Sequence, residues 1–286
     1  MRTSRKLFQI LKKLTPTDLD LLHHLYLYRC LTLEQAKNYI YKREDKTLEA
    51  FHQEYVRHLL RLNVVEKVEY IPNKYVLFLT TNGVDAVRYT KEIPLEIFNP
   101  DTKIVKRGYY RAGELKMHPR LINHQVFLNQ FMLEFQEMAN ERGIKWKYYD
   151  EKYVSQYFTI RPDGLIQLFD TDFFLEMDMG TESKKQLSKK WDHYRDFVRS
   201  TEFTNKENKV MILFITENVK NVERRKDLVR FTAIHQISDL FQGSFDMVIG
   251  SKNELLELMF NTLIPNILQE NKKKEEILET LRKKHE

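Results

Sequence analysis

Apolar residues recur along this chain in changing rhythms, and each change marks a new element. Between Asp18 and Leu62 the spacing is three and four, the period of a helix with one buried face. Leu19, Leu21, Leu22, Leu25 and Tyr26 predict a helix to about Tyr28, with Thr17 as its N-cap behind Pro16. Leu33, Ala36, Tyr39 and Ile40 predict a second, capped by Thr32. After the polar break Lys42–Asp45, the set Leu48, Phe51, Tyr55, Leu59 and Leu62 predicts a third from Lys46 to Leu62. The rhythm then alternates from Val64 to Tyr70, turns at Pro72-Asn73, and resumes as an apolar strand over Tyr75–Leu79. Thr80-Thr81-Asn82-Gly83 opens a short closing helix. Residues 91–117 hold Pro94, Pro100, Gly108 and Gly113 without a period and read as a linker. A long amphipathic helix is expected from His118 to about Arg142, stopped by Gly143. Beyond it the pattern predicts a strand at Ile144–Tyr149, and two apolar strands within Thr159–Gly180 separated by Phe169-Asp170-Thr171. A helix follows over Lys184–Val198, then a strand buried on both faces at Val210–Ile215. The last elements are a helix from about Val222, a short strand at Phe245–Ile249, and a helical tail from Ser251 broken at Pro265.

The first part of this order, three short helices running into a β-hairpin, resembles a winged helix-turn-helix over residues 15–90, preceded by a basic lead-in at 1–14. Such a resemblance implies that the third helix enters a major groove of double-stranded DNA while the wing touches backbone. The DNA-facing candidates are Lys46, Gln53, Arg57 and Arg61 on the helix, and Lys67 and Lys74 on the hairpin. Gln53 suits adenine and Arg57 suits guanine, since each offers two hydrogen-bonding groups in one plane. Glu49 and Glu54 on the same helix oppose this reading, and a solvated or protein-binding face is the alternative. Charge changes the picture in its favour. The chain carries a net charge of +6, and residues 1–62 hold twelve Lys/Arg against seven Asp/Glu.

At 286 residues, 42% hydrophobic, the chain suits two domains with real cores. No apolar run approaches the ~20 residues of a membrane span and no signal-peptide core is evident, so no membrane is expected as a partner and the compartment expected is the cytoplasm. The single cysteine, Cys30, excludes an internal disulfide and a cysteine-built zinc cage, and reads as a buried structural thiol.

The chemistry concentrates in Thr159–Gly180, with one arginine against five Asp/Glu. Asp163 opens the first strand, and Glu176 and Asp178, two apart, share a face of the second. Three carboxylates meeting at a sheet edge would seat a hard divalent cation. Pro162-Asp163 followed by Glu176-x-Asp178 resembles the PD-(D/E)XK nuclease-like superfamily, which implies a metal held by the Asp and the Glu and a lysine two residues past the Glu. Asp178 stands where that lysine belongs, adding negative charge where the transition state needs positive. A lysine supplied by the next helix, Lys189 or Lys190, would restore it. On this reading Asp163, Glu176, Asp178 and Lys190 are catalytic, with Mg²⁺ or Mn²⁺ on the first three. The alternative is a solvated acidic hairpin on an ordinary α/β sheet.

Taken together, the two parts resemble the replication-relaxation family of bacterial plasmids and integrative elements. The residues that carry the resemblance are Arg57–Val65, His124, Pro162-Asp163, Phe174–Gly180 with Thr181-Glu182, and Lys190 with Tyr194. The expected fold is therefore a two-domain α+β and α/β chain: the winged helix-turn-helix, the linker, a nuclease-like mixed sheet flanked by helices at 118–250, and the tail at 251–286. The expected function is a DNA-binding accessory protein of plasmid or mobile-element replication, meeting other replication or conjugation proteins, with an inactive or altered nuclease-like domain. A Mg²⁺- or Mn²⁺-dependent endonuclease and a transcriptional regulator are the alternatives.

Overall fold

A computed structural model describes residues 5–99, 104–204, 208–217, 219–241 and 244–285. The chain divides into two compact units, Met1–Leu133 and Glu134–Glu286.

The first unit begins with a short helix, α1 (Arg5–Leu11), which buries Leu7 and Ile10. Helix α2 (Pro16–Tyr28) is capped by Thr15 rather than by Thr17, in a reciprocal box with Asp18. Proline at the first helical position costs nothing, because its missing N–H would have been unpaired there. A two-residue strand, β1 (Leu31–Thr32), leads into α3 (residues 33–40), where Thr32 caps as expected. Helix α4 (residues 48–61) contains a widened π turn at His52–Val56. The extra residue of that turn brings Val56 fully into the core in place of Tyr55, and Leu48 at the helix start is exposed. Strands β2 (Val65–Ile71) and β3 (Lys74–Leu79) form an antiparallel hairpin, and β1 adds to the other side of β3. Helix α5 (Thr81–Thr90) is capped by Thr80. Gly83 is obligatory in its first turn, since a Cβ there would lie 2.1 Å from the Val64 carbonyl oxygen.

The stretch read as a linker carries an isolated two-stranded ribbon, β4 (Glu96–Asn99) with β5 (Ile104–Arg107), and a helical turn at Ala112–Leu115. A 23-residue helix, α6 (Pro119–Glu141), follows. Its Ile122 joins a cluster with Cys30, Val76 and Phe78. Its buried Asn129 donates to the carbonyls of Tyr28 and Cys30, satisfying backbone acceptors where α2 ends. Gly143 stops the chain's helical course with a φ of +64°.

The second unit is a five-stranded mixed sheet whose strands lie in the order Phe245–Gly250, Lys209–Thr216, Thr171–Asp178, Gly164–Leu168 and Lys147–Asp150. Strand β6 (Lys147–Asp150) is followed by a short helix, α7 (Glu151–Tyr157), then by the hairpin β7 (Gly164–Leu168) and β8 (Thr171–Asp178). Strands β6 to β8 pair antiparallel. Helix α8 (Lys184–Arg199) carries the chain over to β9 (Lys209–Thr216), which pairs parallel with β8. Helix α9 (Val222–Ile237) does the same for β10 (Phe245–Gly250). Parallel neighbours require such crossovers, and the helices bury their apolar stripes on the sheet. Phe174, Ile212 and Phe214 meet Leu187, Trp191, Tyr194 and Phe197 of α8 and Val229, Ala233 and Ile237 of α9 in one core. The tail is a continuous helix, α10 (residues 252–285), unbroken at Pro265. A π turn at Met259–Leu263 lies just ahead of the proline, where a widened turn relieves the clash of the ring with the carbonyl four residues back.

Candidate functional site

Strand β8 is central in the sheet, and all eight of its residues are buried. Alternation aims Phe174, Glu176 and Asp178 at the helices α8 and α9, so two carboxylates point into an apolar layer. Buried carboxylates need compensating groups, and the helices supply them. Lys190 of α8 donates to Glu176 Oε2 at 2.7 Å, and the Tyr194 hydroxyl, one turn further on, donates to Oε1 at 2.6 Å. The spacing of four residues is what stacks these two side chains on one helix face. Arg225 of α9 grips Asp178 with a two-pronged pair, Nε to Oδ2 at 2.6 Å and Nη2 to Oδ1 at 2.7 Å. Its third nitrogen, Nη1, donates to the Glu182 carbonyl at 2.8 Å.

Asp163 precedes β7 and is stitched to the backbone of β8 by two hydrogen bonds, one through its own backbone and one through its side chain. Its N–H donates to the Leu175 carbonyl at 2.9 Å, and its Oδ2 accepts from the Met177 N–H at 2.7 Å. It therefore lies beside Glu176, close enough to act on it. Burial pushes the Glu176 carboxyl above its ordinary range; the ammonium of Lys190 opposes this, and the charge of Asp163 reinforces it. Lys190 is held above the ordinary lysine value: desolvation works against its charge but is outweighed by Glu176, Asp163 and Glu182. Glu182 reaches the same ammonium at 3.1 Å. The Tyr194 phenol is pushed far up, by burial first and then by Glu176.

The structure thus brings Asp163, Glu176 and Lys190 together and draws Asp178 away to Arg225. Lys189, the other lysine weighed from sequence, is exposed. Among the described residues no three His, Cys, Asp or Glu side chains are placed to hold a metal ion. The donor set explains this. Both oxygens of Glu176 and both of Asp178 already accept from the chain's own cations or from Tyr194, so in this arrangement they do not fit a divalent cation. Tyr194 and Arg225 are the parts that spacing did not assign. The available signal was physical: a buried acidic strand residue requires a cation from a neighbouring element, and Arg225 lies within the Arg224-Arg225-Lys226 run.

On the first unit, Gln53, Arg57 and Arg61 are exposed on α4, and Arg57 Nη1 donates to Gln53 Oε1 at 3.0 Å. Lys67 on β2 covers the Tyr75 ring at 4.4 Å and lies 3.5 Å from His52 Nε2, so the hairpin's lysine sits beside α4. Burial, then Lys67 and Arg57, lower the His52 pKa. Lys46 is engaged by Glu54 at 2.8 Å, and Lys74 is exposed next to the hairpin turn. His124, singled out within the long helix, is partly buried there.

Among the described residues no helix is long and apolar enough to cross a membrane. No curated relative and no solved structure matches the chain. A family model described as replication-relaxation matches residues 22–213, which span both the α4 face and the Glu176 cluster. With two-thirds of its length matched, the chain belongs to the replication-relaxation family.

Proposed function

We propose that this protein is a DNA-binding accessory factor in the replication and relaxation of plasmid or mobile-element DNA. The first unit acts as a winged helix-turn-helix, with α4 as the recognition helix and the β2–β3 hairpin as the wing. Gln53, Arg57 and Arg61 follow each other at intervals of four, and this stripe of exposed donors runs beside Lys67. Lys67 and Arg57 both bear on His52, adding to the burial that lowers its pKa, and such neighbouring cations are the footprint a phosphate backbone selects. The second unit is a PD-(D/E)XK-like domain that no longer cleaves. The observation that carries this conclusion is the closure of Glu176, whose two oxygens are taken by Lys190 and Tyr194.

One observation favours a second reading, a Mg²⁺- or Mn²⁺-dependent endonuclease. The Asp163, Glu176 and Lys190 side chains gather in the manner the superfamily resemblance implies, and Lys190 stands in for the lysine lost at Asp178.

The test is incubation with supercoiled plasmid, with and without Mg²⁺ or Mn²⁺, beside binding measured on duplex DNA over a range of salt. An accessory factor leaves the plasmid intact. Its Arg57→Ala variant binds about tenfold or more weakly with a salt slope reduced by about one, while Glu176→Ala binds as the wild type does. Metal-dependent nicking that disappears in Glu176→Ala would overturn this reading in favour of the endonuclease.

A further inference from the structure

Gln53 and Arg57 stand on the exposed side of α4, at a spacing that brings side chains of successive turns together. Across the π turn they touch, with Arg57 Nη1 3.0 Å from the side-chain amide of Gln53. A guanidinium carries donors and no acceptor, so the amide atom it meets has to be the oxygen, Oε1. A glutamine that reads adenine needs that oxygen for the N6 amino group while its own nitrogen donates to N7. Here the oxygen is turned back into the chain, and what Gln53 offers outward is its NH₂. The bond leaves the Nε/Nη2 edge of Arg57 for two parallel bonds to a base. Beside the pair, Lys67 Nζ lies 3.5 Å from His52 Nε2. An ammonium also only donates, so the acceptor nitrogen of that ring faces a lysine. Glu54, next to Gln53 in sequence, is taken by Lys46 at 2.8 Å. Glu49 stands a turn ahead of Gln53, ~6 Å along the axis, where its acceptors bear on another base step. At Gln53 and Arg57 the helix therefore presents donors.

Guanine shows two adjacent acceptors in the major groove, O6 and N7, whereas adenine sets an acceptor beside an amino donor that would meet donors here. We propose that Gln53 and Arg57 act as one unit that selects guanine, Arg57 gripping O6 and N7 while Gln53 holds the guanidinium in place. The free NH₂ of Gln53 adds a donor toward an acceptor of the adjoining base pair. This replaces separate adenine and guanine contacts by one shared contact, and it rests on the reading of α4 as a recognition helix.

The test starts from a pool of duplexes with a randomised central stretch, selected on the full chain at constant salt. The enriched duplex is then measured by fluorescence anisotropy. A guanine whose selection vanishes in Arg57→Ala is expected, and changing it to adenine should weaken the wild type by about tenfold or more. 7-Deazaguanine at that position, which lacks the N7 acceptor, should weaken binding too, whereas inosine, which keeps O6 and N7, should bind as guanine does. Gln53→Ala releases the guanidinium and should blunt the guanine preference. Arg57→Ala releases Oε1 and should move the preference toward adenine. Both side chains are exposed, so both variants should keep the wild-type circular dichroism and melting. An adenine selected by the wild type and lost in Gln53→Ala, or binding without base preference, would overturn the inference and leave the DNA-binding reading standing. Failure to bind any duplex would overturn both.

Discussion

Asp178 carries a full charge into the interior beneath α9. Its charge and its place two residues from Glu176 pointed to a metal seat, whereas the side chain is fully buried against Arg225. A buried pair of this kind adds little net stability over apolar residues of similar volume, but losing one partner strands the other charge. Arg225→Met should therefore cost about 3–5 kcal/mol in urea unfolding followed by tryptophan fluorescence. Converting the pair as a whole, Asp178→Leu with Arg225→Met, should recover most of that loss. Cys30 behaves as its isolation in the sequence suggested. It is buried, and burial pushes its thiol up to about 12.

The elements were legible where apolar periodicity was strong and obscure where a neighbour decided. The helices α2, α3 and α8, the hairpin β2–β3 and the strand β9 follow the predicted rhythms. Helix α4 departs from its own at the π turn, which puts Val56 rather than Tyr55 in the core, while Phe51 and Leu59 are buried as expected. Helix α7 was missed, since seven residues with charged and aromatic side chains carry no clear period. The β7–β8 turn falls within the expected break at Phe169-Asp170-Thr171, although Phe169 occupies it with a φ of +53°, where glycine is the usual signal. Strand β8 alternates apolar and acidic residues over Leu175–Asp178, which suggests a half-exposed end. Its acidic side chains are inside because α8 and α9 bring cations to them, something no local pattern encodes. The same two helices are tied by a buried side-chain bond, from the Trp191 indole N–H to Thr232 Oγ1 at 2.9 Å. Thr232→Val keeps the shape but leaves a buried donor unpaired, so it should lower unfolding stability by about 1–3 kcal/mol.

Across the whole molecule the two units should respond to acid in different windows. In the first, burial, then Lys91 and His24, hold the His23 imidazole down at about 4 against an ordinary 6.5. The unfolded chain then binds the proton more readily, so this contribution is intact above pH 6.5 and is lost as pH falls toward about 4. In the second unit Glu254, held at about 2 by the Ser251 N–H and then Lys226, loses its contribution only between about 4.5 and 2. Glu176 is shifted up, the opposite direction, so falling pH does not weaken the unit through it. Both tryptophans, Trp146 and Trp191, lie in the second unit. Melting by far-ultraviolet circular dichroism should therefore move to lower temperature between pH 6.5 and 4.5 before the tryptophan signal does, and His23→Gln should narrow the gap. The parallel pairing of β8 with β9 bears also on the order in which the second unit is made. Glu176 leaves the ribosome 14 residues before Lys190 and 18 before Tyr194, and Asp178 leaves 47 before Arg225. Until those side chains emerge the two carboxylates must stay in water, so β8 cannot settle into the sheet from its hairpin alone. The nascent domain is therefore expected to close in two stages, first when α8 covers Glu176 and again when α9 reaches Asp178.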